Sequence, residues 1–131
     1  MQTTATAVFI KDSKILLEKR KEDEDNYAGF WALPGGHKKK EEKIEQTLRR
    51  EMQEELNVKV TKDRLIGKFK DKDPTSKELY EHNAFLCLEW DGNITHTTEE
   101  ERVRWHDLKD IKNLRGIRPV DIKILKKAKV I

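Results

Sequence analysis

The chain has 131 residues, enough for one compact domain but too few for two self-sufficient cores. Charged residues make up 40% and hydrophobic residues 35%, so the core must be economical and the surface crowded with charge. The 28 basic and 25 acidic side chains nearly cancel, to +3, which argues against a whole-chain nucleic-acid binder.

Residues 4–10 begin with alternating polarity and end in bulky apolar side chains, the pattern of a strand. Lys11-Asp12-Ser13-Lys14 predicts a turn, and Ile15-Leu16-Leu17 the returning strand of a hairpin. Residues 20–26 are almost wholly charged or polar and predict a solvated loop. Phe30-Trp31-Ala32-Leu33 is a short apolar segment that stops at the turn signal Pro34-Gly35-Gly36. Over 41–56 the period changes: Ile44, Leu48, Met52 and Leu56 recur every fourth residue, the stripe of an amphipathic helix. No Gly or Pro interrupts it, and Asn57 is suited to the left-handed conformation that ends a helix. Short strands are predicted over 58–60 and 65–69, and a loop over 71–77 around Pro74. Residues 79–90 read as a central strand closed by Asp91-Gly92, and 102–105 alternate once more. Pro119 then opens a last helix carrying Val120, Ile124, Leu125 and Ala128. Strands, helix, strands, helix is the order of an α+β domain, layered α/β/α around a mixed sheet, with 1–131 read as a single unit.

The one cysteine, Cys87, excludes an intramolecular disulfide. It lies in the apolar run Ala84-Phe85-Leu86-Cys87-Leu88 and reads as a buried strand thiol, not a nucleophile. No apolar run approaches the ~20 residues of a membrane helix, and Met1-Gln2-Thr3-Thr4 does not open a secretory signal. A cytoplasmic setting without membrane attachment is the expectation. His82 and His96 have no zinc-ligand spacing with a cysteine.

The chemistry concentrates between Gly35 and Val58. At about 100° per residue, Glu51, Glu54 and Glu55 share an arc of roughly 100° on the helix. Like charges so crowded repel, and the face gains stability only when a cation sits against it. Hard divalent ions such as Mg²⁺ take oxygen ligands, commonly a few carboxylates plus substrate phosphates. Arg50, one turn before Glu54, can pair with a carboxylate and fix its rotamer. The preceding glycines let the backbone approach a metal or phosphate closely.

Gly36, Glu42, Arg50, Glu51, Met52, Glu54, Glu55 and Val58 stand at the spacing G-x5-E-x7-R-E-U-x-E-E-x-G-U, where U is bulky and aliphatic. This segment resembles the signature of the Nudix hydrolase family, MutT-like members in particular. Asn57 replaces the family's glycine, and Asn tolerates positive φ. The lead-in Gly29-Phe30-Trp31-Ala32-Leu33-Pro34-Gly35-Gly36 and the later Trp105-His106-Asp107-Leu108 are similar to the family as well. The resemblance implies an α/β/α sandwich with a loop–helix–loop metal site. It implies Mg²⁺, or Mn²⁺ in its place, held by Glu51, Glu54, Glu55 and the Gly35 carbonyl, with Glu42 in the same network and Arg50 orienting Glu51. A further ligand is expected from Glu99, Glu100 or Glu101, with Glu100 preferred. The resemblance puts Glu54, Glu51 and Arg50 in the catalytic set, with Glu54, Glu51 or a glutamate of the 99–101 loop as the base that takes the water proton. Trp31, Tyr80 and His37 are candidates for contact with the nucleotide, and Lys38-Lys39-Lys40 reads as a solvated basic loop.

The activity implied is hydrolysis of a nucleoside diphosphate linked to another group, above all a (d)NTP to NMP and pyrophosphate. ADP-ribose, other nucleotide sugars and dinucleoside polyphosphates are the alternative substrates, and a non-catalytic nucleotide sensor the alternative class. The expected partner is the nucleotide alone, in a monomer or homodimer. Ile117 stands where MutT-like members read oxidised guanine with an Asn, so that route is not expected here.

Overall fold

Residues 1–20, 27–94, 102–114 and 116–131 are described by a computed structural model. Strand β1, Gln2–Lys11, turns back into β2, Lys14–Lys19, through the register Ile10↔Ile15. Two short strands follow, β3 at Trp31–Ala32 and β4 at Gly35–His37. Helix α1, Ile44–Leu56, leads into the long strands β5, Lys59–Lys72, and β6, Leu79–Asp91. Strand β7, Val103–Asp107, a 3₁₀ turn over Leu108–Asn113 and helix α2, Pro119–Lys127, complete the order. None of the described helices is long and apolar enough to cross a membrane.

The sheet runs β3-β2-β1-β6-β5, with β4 added to β1 and β7 to β2. It is mixed: β1 runs parallel to β6 from Gln2↔Tyr80 to Phe9↔Cys87, and every other strand pair is antiparallel. Thr4 to Phe9 are buried on both faces, as a central strand covered on both sides requires. Alternate side chains feed two cores. Ala5, Ala7 and Phe9 pack with Leu48, Met52 and Leu56 of α1. Val8, with Ile15 and Leu17 of β2, packs with Ile124 and Leu125 of α2. The result is the α/β/α layering that the element order predicts.

Four local differences from the sequence reading have physical reasons. The helix starts at Ile44 rather than near residue 41, with Lys43 extended (φ −78°, ψ 155°) and its backbone N–H donating to Gln46 Oε1 at 2.7 Å. The preceding turn is bent instead to aim Glu42 at Arg50. The two short strands predicted after α1 are one strand, β5, because β6 offers it a partner along its whole length. Register shifts at Val60/Lys62, Lys62/Asp63 and Leu65/Gly67 break the alternation that would have shown this. The predicted loop over 71–77 therefore begins two residues later. Gly35 and Gly36 are not merely a turn; as β4 they pair with Thr6 and Ala5 of β1.

Asn57 does take the left-handed conformation (φ 56°, ψ 39°), and its N–H returns to Gln53 O at 3.1 Å. Cys87 is buried, and loss of solvation pushes its thiol up to about 12. The charged loop predicted over 20–26 lies almost wholly outside the described residues, as do His96 and Glu99, Glu100 and Glu101.

Candidate active site

Strand β4 and helix α1 meet at the glycines. A Cβ on Gly36 would overlap the Glu51 side chain, and one on Gly35 would overlap the Ala5 carbonyl. Neither glycine has positive φ, so their role is close approach rather than backbone conformation. The absent side chains let Glu51 fold down against the strand that leads into the helix.

Arg50 organises what surrounds it. Its Nε and Nη2 grip Glu42 in a fork at 2.6 and 3.0 Å. Nη1 donates to Glu51 at 2.9 Å and to Glu54 at 3.2 Å, and Nη2 also donates to the His37 carbonyl at 2.9 Å. Glu42 accepts two more hydrogen bonds, from the Lys39 N–H and the Thr47 hydroxyl. These donors, Arg50 first, hold its carboxyl down at about 2. The carboxylates in turn raise the Arg50 guanidinium above its usual range, Glu42 most of all. The loop and three glutamates are thus fixed by one side chain.

Glu55 differs from its neighbours. Its Oε2 is buried and has no hydrogen-bond partner among the described residues. Desolvation, followed by the charges of Glu18, Glu51 and Glu54, pushes its carboxyl up to about 8, and Arg102 only partly opposes this. A buried carboxylate oxygen without a donor among the described residues has the chemistry of a cation ligand. The donor set, hard carboxylate oxygens on one helix face, fits Mg²⁺ or Mn²⁺. Among the described residues no three such groups already converge into a closed cage.

Beside the glycines opens a cavity of about 160 Å³. Gly35, Gly36 and His37 form the wall nearest α1, with Glu18 of β2 beside them. Thr4, Asp71, Tyr80, His82 and Arg118 line the remainder. The floor is ordered: Thr4 Oγ1 and His82 Nδ1 share a hydrogen bond at 2.7 Å, and the Tyr80 ring stacks on His82 at 5.7 Å. Burial lowers the His82 pKa, so the ring is neutral near pH 7.

Of the nucleotide-contact candidates, Tyr80 and His37 line this cavity, 6.1 Å apart between ring centroids. Trp31 does not. It packs against the second core, with His106 edge-on at 4.5 Å and the Arg104 guanidinium 6.0 Å above it. Trp90 stacks edge-on with Phe9, and Trp105 packs on the first core. Lys38 folds back to the carbonyls of Lys39 and Lys40, so part of the basic run serves its own loop. The sequence reading missed Glu18, Asp71, Thr4 and Arg118 and weighed His82 only for zinc. Same-face pairs at i, i+2, such as Asp71/Asp73 and Tyr80/His82, were the available signal.

The NUDIX domain profile matches residues 1–128. The chain belongs to the Nudix family. It is 29% identical over 118 residues to the uncharacterized Nudix hydrolase YvcI of Bacillus subtilis, covering 87% of this chain and 71% of that one. It is 30% identical over 119 residues to the nucleoside triphosphatase NudI of Escherichia fergusonii, covering 84% of each. The crystal structure of a MutT NUDIX hydrolase from Burkholderia pseudomallei superposes with a TM-score of 0.84 at 26% identity, covering 96% of both chains. This Nudix hydrolase therefore combines the family's fold with a complete set of motif glutamates, and its class is that of a pyrophosphohydrolase.

Proposed function

We propose that this Nudix hydrolase, acting as a single unit over 1–131, splits the phosphoanhydride of a (d)NTP to NMP and pyrophosphate. The observation that carries the reading is the asymmetry around Arg50. It secures Glu42, Glu51 and Glu54, while Glu55 keeps a buried oxygen with no hydrogen-bond donor among the described residues. Glu51, Glu54, Glu55 and the Gly35 carbonyl would hold Mg²⁺, or Mn²⁺ in its place, with Glu100 as a further ligand. When bound there, such an ion would neutralise polyphosphate charge and acidify water at the site.

The protein's own groups do the rest. Glu54 is the most exposed of the carboxylates bonded to Arg50, at 55%, and accepts the proton of the attacking water. The water oxygen bonds to the α- or β-phosphorus as the P–O bond between them breaks, and the departing pyrophosphate or NMP keeps that electron pair. Arg50 holds Glu51 and Glu54 in place as charge shifts. Tyr80 and His37 contact the nucleotide from the cavity wall. The similarity to a nucleoside triphosphatase supports the choice of triphosphates over nucleotide sugars. The reading needs no partner beyond the nucleotide, in a monomer or homodimer, and fits a cytoplasmic setting.

The test is a panel of NTPs, dNTPs, ADP-ribose and dinucleoside polyphosphates with Mg²⁺, products separated by chromatography. NMP and pyrophosphate from triphosphates are expected, and Glu54→Gln should cut turnover by about 10²-fold or more with the fold intact. Silence across the panel, or near-normal turnover by the variant, overturns the reading.

A further inference from the structure

Arg118 stands immediately before α2, and only 16% of its side chain is exposed. Its Nε and Nη2 donate to the two oxygens of Asp121 at 2.7 and 3.2 Å, and the Asp121 side chain is fully buried. That fork consumes one edge of the guanidinium. Nη1 keeps two N–H groups and Nη2 one, and none meets an acceptor among the described residues, while the side chain lines the cavity.

Asp71, at the end of β5, lines the same cavity. Its backbone pairs with Tyr80 in the sheet, and its carboxylate lies 3.9 Å from His82 Nε2. The charge of Asp71, and more strongly that of Glu18 in the same cavity, helps to stabilise the Arg118 guanidinium, after Asp121. Asp71 and Arg118 make no hydrogen bond to each other, so the cavity presents guanidinium donors and a carboxylate together. The Tyr80 and His82 rings, stacked on each other, line the same cavity and give it an aromatic wall suited to a base.

The complement of such a wall is a planar ligand with an acceptor oxygen beside an N–H. A guanidinium pairs with a keto oxygen, bidentately where a ring nitrogen accepts beside it, and a carboxylate accepts from ring and exocyclic N–H groups. Adenine and cytosine carry an amino group where guanine, uracil and thymine carry the keto oxygen. Their NH₂ would face the N–H groups of Arg118 and leave buried donors unpaired. We propose that Arg118 and Asp71 are the specificity-determining pair of this site, selecting a base with a keto oxygen beside a ring N–H over an amino base. This rests on the nucleotide-hydrolase reading and deepens it. Asp121 is a positioning residue that turns the free edge of Arg118 into the cavity.

The test compares kcat/KM for GTP, UTP, ATP and CTP with Mg²⁺, alongside equilibrium binding of GMP, UMP, AMP and CMP. GTP, UTP or both should exceed ATP and CTP by about 10-fold or more, the size of one good bidentate discrimination; the two separate the purine from the pyrimidine source of the same chemistry. Asp71→Asn replaces an acceptor by a donor without disturbing the Arg118–Asp121 pair. It should shrink that ratio to about threefold or less, read as the ratio of kcat/KM between keto and amino bases whatever the absolute rates, and Arg118→Gln should do the same. Equal loss on all four substrates shows a structural role and overturns the proposal. So does an unvaried or amino-base preference in the parent enzyme. Keto-selective monophosphate binding without hydrolysis upholds the pair and refutes the hydrolase reading. Binding of none of the four refutes the pair.

Discussion

Glu55 ties stability to pH in a way that can be read out without substrate. Unfolded, its carboxyl titrates near 4.5; folded, burial and the charges of Glu18, Glu51 and Glu54 move it to about 8. The folded state then binds the proton more tightly than the unfolded state, so the contribution of this group to stability falls as pH rises from about 4.5 through about 8. At 1.36 kcal/mol per pH unit the ceiling is about 5 kcal/mol, and solvent screening of a partly exposed side chain brings the expected loss to about 2–3 kcal/mol. For a chain of this size that corresponds to about 5–10 °C in Tm. Thermal unfolding in EDTA at pH 5, 6.5 and 8 should show the parent losing Tm relative to Glu55→Gln, whose amide cannot ionise. Added Mg²⁺ should raise the parent's Tm most at pH 8, where the ion competes with the fewest protons, and leave the variant almost unmoved. Parallel Tm curves for parent and variant in EDTA would refute the claim that Glu55 is a desolvated carboxyl awaiting a cation.

Three further outcomes follow from the same geometry. Gly36→Ala drives a methyl group into the Glu51 side chain, whose flexible end can swing away; activity should fall by about 10²-fold while the Tm moves by only a few degrees, checked by paired kinetics and unfolding. Arg50→Lys keeps the charge but cannot fork onto Glu42 while reaching Glu51, Glu54 and the His37 carbonyl, so kcat should drop nearly as far as in Arg50→Ala, by about 10-fold or more. Cys87, buried and with its thiol up at about 12, should resist a thiol reagent at pH 8 in the native protein and react promptly in denaturant; rapid native labelling would contradict its placement.

Much of the fold and part of the site could be read from order along the chain. The α1 stripe of Ile44, Leu48, Met52 and Leu56, the left-handed Asn57 and the clustering of Glu51, Glu54 and Glu55 are all consequences of one helical period. Helix geometry relates residues a few positions apart whatever the rest of the chain does. The alternating strands and the opening of α2 at Pro119 were legible for the same reason. The continuous β5 was not, because bulges at Val60, Lys62 and Leu65 erase its period.

What the tertiary structure alone decided is which distant residues face one another. Parallel pairing of β1 with β6 places Thr4 beside His82, 78 positions away, and α2 brings Arg118 to the cavity that Asp71 also lines. The burial that leaves Glu55 Oε2 without a donor among the described residues likewise needs β2 and α1 packed in place around it. The sequence determined the helix that carries the motif carboxylates, since a local backbone period sets that. The fold decided their charge states and the cavity beside them, since both depend on solvent excluded by strands that only long-range packing brings together.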